Sequence, residues 1–376
     1  MKDLIKEDFL NHRRKLVNTL NMKIQRVIEK IGLLEVKESS LEFVAFKPTV
    51  RMQDGSHYLG QWSSITNSQL GWGIMVYSDG AYSEGYRMNH GLYDKGTLID
   101  AQGSYYIGEW NDSKRCRNGT QEWANGDKYI GNWEEDERSG EGYQKWSNGN
   151  TYRGSWDNHM MNGQGEYSWD NGDKYTGIFK NDHISGPGVF NQNNGTYAVG
   201  HFNEEDGAIY GDVEMYMPDR SKYNGEIMNM ERHGKGTLKF NDGTEYTGKF
   251  RRNQYHGQGT LKYADGTRYS GKFKKGLYDQ GKLVHPDGTT YNGKFRQNLY
   301  HGKGELIISD GTIFTGSFKE GIFEDGTIMR PDGTQYTGRL RQGLYYGDGI
   351  LKHKDNTTYK GQFNEGLYDG QGTIRY

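Results

Sequence analysis

Residues 246–268 read YTGKFRRNQYHGQGTLKYADGTR, and this stretch decides the fold. Tyr246, Gly248 and Phe250 alternate, so in an extended chain they share one face. A polar loop follows, after which Gly257, Gly259, Leu261 and Tyr263 alternate in turn. The stretch closes on Asp265-Gly266, a dipeptide whose members both tolerate the positive φ of a tight turn. Two short strands and a turn predict one β-hairpin per unit. Glycine inside a strand ordinarily weakens it. Here each glycine leaves bare backbone over which a neighbouring ring can lie, the aromatic rescue of strand glycine.

The unit recurs at a fixed period, the signature of repeat architectures. Its first strand returns as Tyr106-Ile-Gly108-Glu-Trp110, Tyr129-Ile-Gly131-Asn-Trp133, Tyr152-Arg-Gly154-Ser-Trp156 and Tyr175-Thr-Gly177-Ile-Phe179. Further on it reads Tyr269-Ser-Gly271-Lys-Phe273 and Tyr291-Asn-Gly293-Lys-Phe295. Degenerate copies begin at Tyr58, Tyr82, Tyr197, Tyr223, Phe314, Tyr336 and Tyr359, so fourteen leading aromatics stand 22 to 26 residues apart. Asp-Gly turns recur at residues 242, 287, 310 and 332, and Asn-Gly replaces them at 125, 148, 171 and 194. Tyr82-Ser-Glu-Gly85 and Tyr197-Ala-Val-Gly200 carry one extra residue, which a β-bulge can absorb. The Tyr197 copy also lacks Gly-x-Gly and has Pro218-Asp-Arg220 at its turn, which marks a bend or a boundary.

The pattern Tyr-x-Gly-x-Trp/Phe, Gly-x-Gly and Asp/Asn-Gly, in phase over roughly residues 54–376, resembles MORN repeats, the membrane occupation and recognition nexus family. The resemblance implies an extended, twisted, single-layer antiparallel sheet. It also implies, for long arrays without a catalytic domain, a structural place in ciliary axonemes, notably radial spokes, or in the cytoskeleton. The period-two reading reaches the fold independently: an all-β array of about fourteen hairpins preceded by an α-helix. At ~4.8 Å per strand each repeat advances roughly 10 Å, giving a rod on the order of 130 Å.

Composition agrees with a thin sheet. Hydrophobic residues are 32% of the chain, 29 residues are Tyr and 56 are Gly, and mean hydropathy is -0.99. A thick two-layer core needs more aliphatic side chains, while a disordered chain would not be 14% aromatic. Cys116 is the only cysteine, which fits a reducing compartment, and no apolar run reaches membrane-spanning length. The expectation is a cytoplasmic protein, placed by the resemblance at the cilium or cytoskeleton.

Charge divides the chain. Residues 1–38 hold nine Lys/Arg against six Asp/Glu, residues 39–220 hold 14 against 26, and residues 221–376 hold 24 against 17. The expected organisation is an amphipathic N-terminal helix over 1–38, a linker or capping strand over 39–53, an acidic sub-array over 54–220 and a basic one over 221–376. In the helix, Leu16, Leu20, Ile24, Val27 and Ile31 follow steps of three and four, and Gly32 stops it. It can cap the array, dock on a partner, pair into a homodimer or lie in a membrane interface. Leu41 to Phe46 reads as a strand that Pro48 ends.

No motif for catalysis, a metal or a cofactor is present. His233, His256 and His301 recur at repeat spacing before a Gly and read as architectural. The Gly-x-Gly copies lack the third glycine and following helix of a dinucleotide fingerprint. The Glu134 to Glu137 run reads as a solvated loop.

If Phe250 faces the rings, Lys249 and Arg251 face away, as do Lys272/Lys274, Lys294/Arg296 and Arg339/Arg341, joined by Lys239 and Lys262 from second strands. The equivalent earlier positions, Glu109/Asn111, Asn132/Glu134 and Ser155/Asp157, are neutral or acidic. A basic ladder suits an acidic protein surface or anionic lipid. Nucleic acid fits poorly, because the rings are committed to the sheet. Leu-Tyr pairs at 92–93, 277–278, 299–300, 344–345 and 367–368 either cover the edge of the ring stack or form an exposed apolar strip. Three functions follow: a structural scaffold binding proteins of a large assembly, a phospholipid-binding tether, or a separate regulatory subunit of an enzyme complex.

Overall fold

The computed structural model describes residues 2–35 and 44–376, with side chains from residue 7 onward. Its contacts divide the chain into two compact units, residues 1–193 and 194–376. Unit 1 holds helices α1 (Lys2–Val17) and α2 (Met22–Ile31) and strands β1 (Val44–Arg51) to β13 (His183–Asn191). Unit 2 holds β14 (Tyr197–Glu205) to β29 (Leu367–Arg375), strands being numbered along the chain. Within each unit successive strands pair antiparallel in an open sheet. After β1 come fourteen hairpins, the all-β repeat array that the alternation predicts.

One row of glycines organises the sheet. Gly236, Gly248 and Gly259 stand opposite one another across β17 (Glu231–Lys239), β18 (Glu245–Arg251) and β19 (Gln254–Lys262). In unit 2 the row runs from Gly225 to Gly372, one glycine per strand. In unit 1 it runs from Gly60 to Gly188. The leading tyrosines lie across this row. A Cβ built on Gly248 or on Gly259 would come within 2.5 Å of the Tyr246 hydroxyl oxygen, so only glycine fits beneath the ring. The buried Tyr246 phenol donates to the Lys249 carbonyl at 2.8 Å, and burial pushes its pKa up to about 12.

Edge-on rings flank each tyrosine. Tyr246 meets Phe250 at 4.9 Å and Phe273 of the next repeat at 5.1 Å, both near perpendicular. Each such pair contributes about 0.5–1.5 kcal/mol beyond its buried area. Tyr255 then stacks on Tyr246 at 3.8 Å. In two hairpins of unit 1 arginine takes this position, Arg115 and Arg138. Arg138 lies 4.3 Å from the Trp156 ring and donates to Gln144 at 2.9 Å.

The turns differ from expectation. At Asp265-Gly266 only the glycine takes positive φ, +92°. Gly266 N–H donates to the Tyr263 carbonyl at 3.0 Å, and Tyr263 N–H to the Thr267 carbonyl at 2.8 Å. That is a type I turn with a glycine bulge, and Asp265 serves by accepting the Thr267 N–H at 2.8 Å. The two-residue turns with positive φ at both positions lie at the opposite end, in the polar loop: Arg252 at +49° and Asn253 at +64°. Asn253 also ties its hairpin to the preceding one by accepting the Arg232 N–H at 2.9 Å. The two glycines of Gly-x-Gly have separate jobs. Gly259 underlies the ring, while Gly257, at φ +59°, carries a bulge where the β18–β19 register shifts.

The copies at Tyr82 and Tyr197 contain no inserted residue absorbed ahead of the glycine. Ser83 stands opposite Leu98 and takes the ring position, buried, while Tyr82 faces the other way. Arg87 occupies the Trp position, buried, donating to the Ser83 hydroxyl and lying 5.6 Å from the Tyr58 ring. In β14, Ala198 and Phe202 take the ring positions. Tyr197 stacks on Tyr216 at 4.8 Å on the opposite face, and the β14–β15 (Ala208–Tyr216) register has no shift. The leading aromatic has moved one residue, which in a strand reverses its face.

The N-terminal segment is two helices where one was expected. Asn21 interrupts it, its side chain accepting the Ile24 N–H at 3.0 Å as the N-cap of α2. Gly32 ends α2 at φ +77°, its N–H donating to the Ile28 carbonyl at 2.8 Å. The apolar stripe packs on the face opposite the rings, Leu20, Ile24 and Ile28 against Leu59, Ile74 and Ile99. Arg13 forms a buried ion pair with Glu84, and Lys30 pairs with Glu122. Desolvation outweighs Arg13 at Glu84 and raises its carboxyl to about 7. Part of the expected capping strand lies outside the described residues. What is described starts at Val44, pairs with β2 (His57–Ser63) and continues past Pro48, which sits where the register shifts. On a first strand the missing N–H is tolerated.

Two outcomes test these contacts. Gly259→Ala is expected to destabilise the fold by about 1–3 kcal/mol in urea denaturation, and much less in a Tyr246→Ala background, where the ring is gone. Equal costs in both backgrounds would remove the ring as the cause. Glu84 holds its proton more tightly folded than unfolded, so its contribution to stability declines as pH rises from about 5 to 7. Denaturation followed by Trp fluorescence should therefore show a downward slope in the wild type, relative to Glu84→Gln, approaching ~1.4 kcal/mol per pH unit.

Candidate interaction face

Strand alternation gives every hairpin a ring face and an outer face, and the ring face of unit 2 is filled by its own tyrosines and phenylalanines. The outer face carries the cations. Lys239, Lys249, Arg251, Lys262, Lys272, Lys274, Lys294, Arg296, Arg339 and Arg341 are all exposed.

They do not form one line. Lys272 and Lys294 share a row through Gln280, while Lys249, at the same repeat position, is paired across its bulge with His256. Arg251, Lys274, Arg296 and Arg341 form a neighbouring row nearer the two-residue turns. Lys239 and Lys262 lie at the far end of the strands, both opposite Glu245, and Lys239 pairs with that carboxylate at 3.2 Å. Arg339 stands apart from the first row, with Ser317 and Asp325 in the positions between. Lys272 comes within 3.6 Å of Asp279.

Three members escaped the sequence reading. Lys235 stands directly opposite Lys249, and Lys303 opposite Ser317, both on the outer face, and Lys319 stands opposite Ile322 in the row nearer the turns. Lys235 and Lys303 are each the middle residue of a Gly-Lys-Gly triplet, so the signal was present in Gly234-Lys-Gly236 and Gly302-Lys-Gly304. Facing lysines repel, so Lys235 and Lys249 together favour an anionic neighbour.

The Leu-Tyr pairs divide. Tyr278, Tyr300, Tyr345 and Tyr368 stack on Tyr269, Tyr291, Tyr336 and Tyr359 within 4.0 Å and belong to the ring face. The leucines beside them remain exposed in unit 2, whereas Leu92 of unit 1 is buried. His233, His256 and His301 sit within second strands just before the bulge.

In unit 1 the outer face is acidic where unit 2 is basic, and it is partly covered. Glu134 and Asp157 are exposed, Glu109 pairs with Arg117 at 3.4 Å, and Glu122 accepts from Tyr105 at 2.9 Å besides meeting Lys30. Among the described residues no group of three or more His, Cys, Asp or Glu is placed to hold a metal ion, and no helix is long and apolar enough to cross a membrane.

Among solved structures, the SAS-4 (dCPAP) TCP domain in complex with a proline-rich motif of Ana2 (dSTIL) of Drosophila melanogaster is 12% identical, covering 69% of this chain and 94% of its own, with a TM-score of 0.16. A streptogramin B lyase is 13% identical, covering 82% and 94%, with a TM-score of 0.13. A catalytically inactive virginiamycin B lyase from Staphylococcus aureus with quinupristin is 12% identical, covering 86% and 97%, at 0.13. At those scores the likenesses bear on neither fold nor function. No curated protein matches the chain. The MORN repeat family model matches residues 106–128, 129–151, 152–174, 175–197, 223–245, 246–268, 291–313 and 359–376. The chain therefore contains eight MORN-repeat segments between residues 106 and 376.

Proposed function

We propose that the chain is a non-catalytic scaffold that holds partner proteins on the outer face of unit 2, within a ciliary axoneme or cytoskeletal assembly. The observation that carries this reading is the row of exposed cations on one face of a sheet whose other face is closed by its own rings. A surface on which cations predominate, repeated at the strand spacing, suits an extended acidic partner and steers its approach. The axonemal or cytoskeletal placement rests on the resemblance of the array to long MORN proteins without catalytic domains.

Anionic phospholipid is a second reading, favoured by the same lysines, Lys235 and Lys249 above all. Against it, the apolar stripe of α2 that would enter a membrane interface is buried on the sheet.

Charge reversal separates these. The triple variant Lys249→Glu, Lys272→Glu, Lys294→Glu is expected to fold, by far-UV circular dichroism, and to lose most of the crosslinks that the wild-type chain forms in its native complex. Unchanged crosslinks would mean that the lysines only confer solubility. Flotation with phosphatidylserine vesicles at physiological salt that is lost in the same variant would support the lipid reading instead.

A further inference from the structure

In unit 2 one aliphatic side chain stands exposed at the tip of each of five successive hairpins: Leu277 at 42%, Leu299 at 46%, Ile322 at 63%, Leu344 at 47% and Leu367 at 73%. Each heads the second strand of its hairpin. Lys274, Arg296, Lys319 and Arg341 are the cross-strand partners of the first four, which places the aliphatics on the outer face beside the cations. The resulting row alternates cation and aliphatic at ~4.8 Å, so an aliphatic recurs about every 10 Å. Single exposed leucines are ordinary. Five in register make a strip, and a face serving solubility alone would not repeat an aliphatic there.

Unit 1 shows what this face of the sheet accepts. There α2 lies across the strands with Ile24 and Ile28 on the sheet, basic helix side chains meeting acidic strand residues at Arg13–Glu84 and Lys30–Glu122. The part of unit 2 from residue 221 onward inverts the sheet charge, with 24 Lys/Arg against 17 Asp/Glu over residues 221–376. It contains no helix of its own among the described residues. Two helical turns rise about 10.8 Å, close to one hairpin interval.

We propose that the outer face of unit 2 docks an acidic amphipathic α-helix of a partner protein, laid across the strands. An aliphatic residue about every seven positions of that helix meets the Leu277 to Leu367 row, and carboxylates between them meet Lys274, Arg296, Lys319 and Arg341. The inference rests on the scaffold reading and names its partner class. The basic N-terminal helices, of this or a second copy, have the wrong sign for the site.

The test uses the full chain and a stapled helical peptide of about four heptads, leucine at every seventh position and glutamate predominating between, followed by fluorescence anisotropy. A stapled isomer of the same composition with the leucines scattered around the helix is the comparison. The ordered peptide is expected to bind at least about tenfold tighter than the scattered one. Leu299→Ser with Leu344→Ser, and separately Lys274→Glu with Arg296→Glu, should each weaken it by about tenfold while circular dichroism stays unchanged. Equal affinity for the two peptides, or indifference to the serine pair, would overturn the helix while leaving the scaffold reading to the crosslinking result. Binding of phosphatidylserine vesicles that depends on the serine pair, with neither peptide bound, would overturn it in favour of a membrane surface. Failure of both this test and the crosslinking would remove the scaffold reading as well.

Discussion

The structure depends on a tyrosine ring lying flat across bare backbone. Each strand of unit 2 from β16 (Lys222–Met228) onward contributes one glycine to a continuous row, and the rings of Tyr223, Tyr246, Tyr269 and their successors occupy the space that side chains would fill. Without a second layer, a sheet this poor in aliphatics has little else to bury. The ring replaces that layer, and the flanking Trp or Phe rings bind each repeat to the next. The arrangement tolerates variation above the tyrosine, where unit 1 uses Arg115 and Arg138 and unit 2 uses Tyr255 and Tyr278. It does not tolerate a Cβ below.

Because stability is concentrated on the ring face, the outer face is free to differ. In unit 1 it is acidic and takes up the basic N-terminal helices. In unit 2 it is basic, bears exposed aliphatics at the hairpin tips and is left open by the elements of its own unit. Such a face suits recognition of an extended partner, since every hairpin offers the same contact one step further along. The ring network fixes the spacing of those contacts.

Most of the fold was legible because alternation and period are one-dimensional signals. Tyr246, Gly248 and Phe250 announce a shared face directly. Where the reading failed, the missing information was phase or pairing. The tyrosine pattern assigns Tyr82 and Tyr197 to the ring face, yet one residue of phase puts Ser83 and Ala198 in the ring positions. The turns with positive φ at two positions, such as Arg252-Asn253, lack the Asn-Gly signature, since register between fixed strands imposes their conformation. On the outer face, alternation places the ten basic residues away from the rings, and all ten are exposed. It could not show that Lys239 is matched by Glu245, that Arg339 is displaced from the row, or that Lys235 and Lys303 join it. Those facts belong to cross-strand register, which bulges such as that at Gly257 reset in the hairpins other than β14–β15.

The ring-over-glycine contact can be read directly by NMR of glycine α-protons in selectively labelled protein, since a proton beneath an aromatic ring is shifted upfield. Gly248, Gly259, Gly293 and Gly304, which lie under Tyr246 and Tyr291, are expected to show that shift. Gly200, whose strand carries Ala198 at the ring position, is expected to lack it. Unshifted α-protons at Gly248 and Gly259, or the same shift at Gly200, would contradict the account that tyrosine on glycine holds this sheet together.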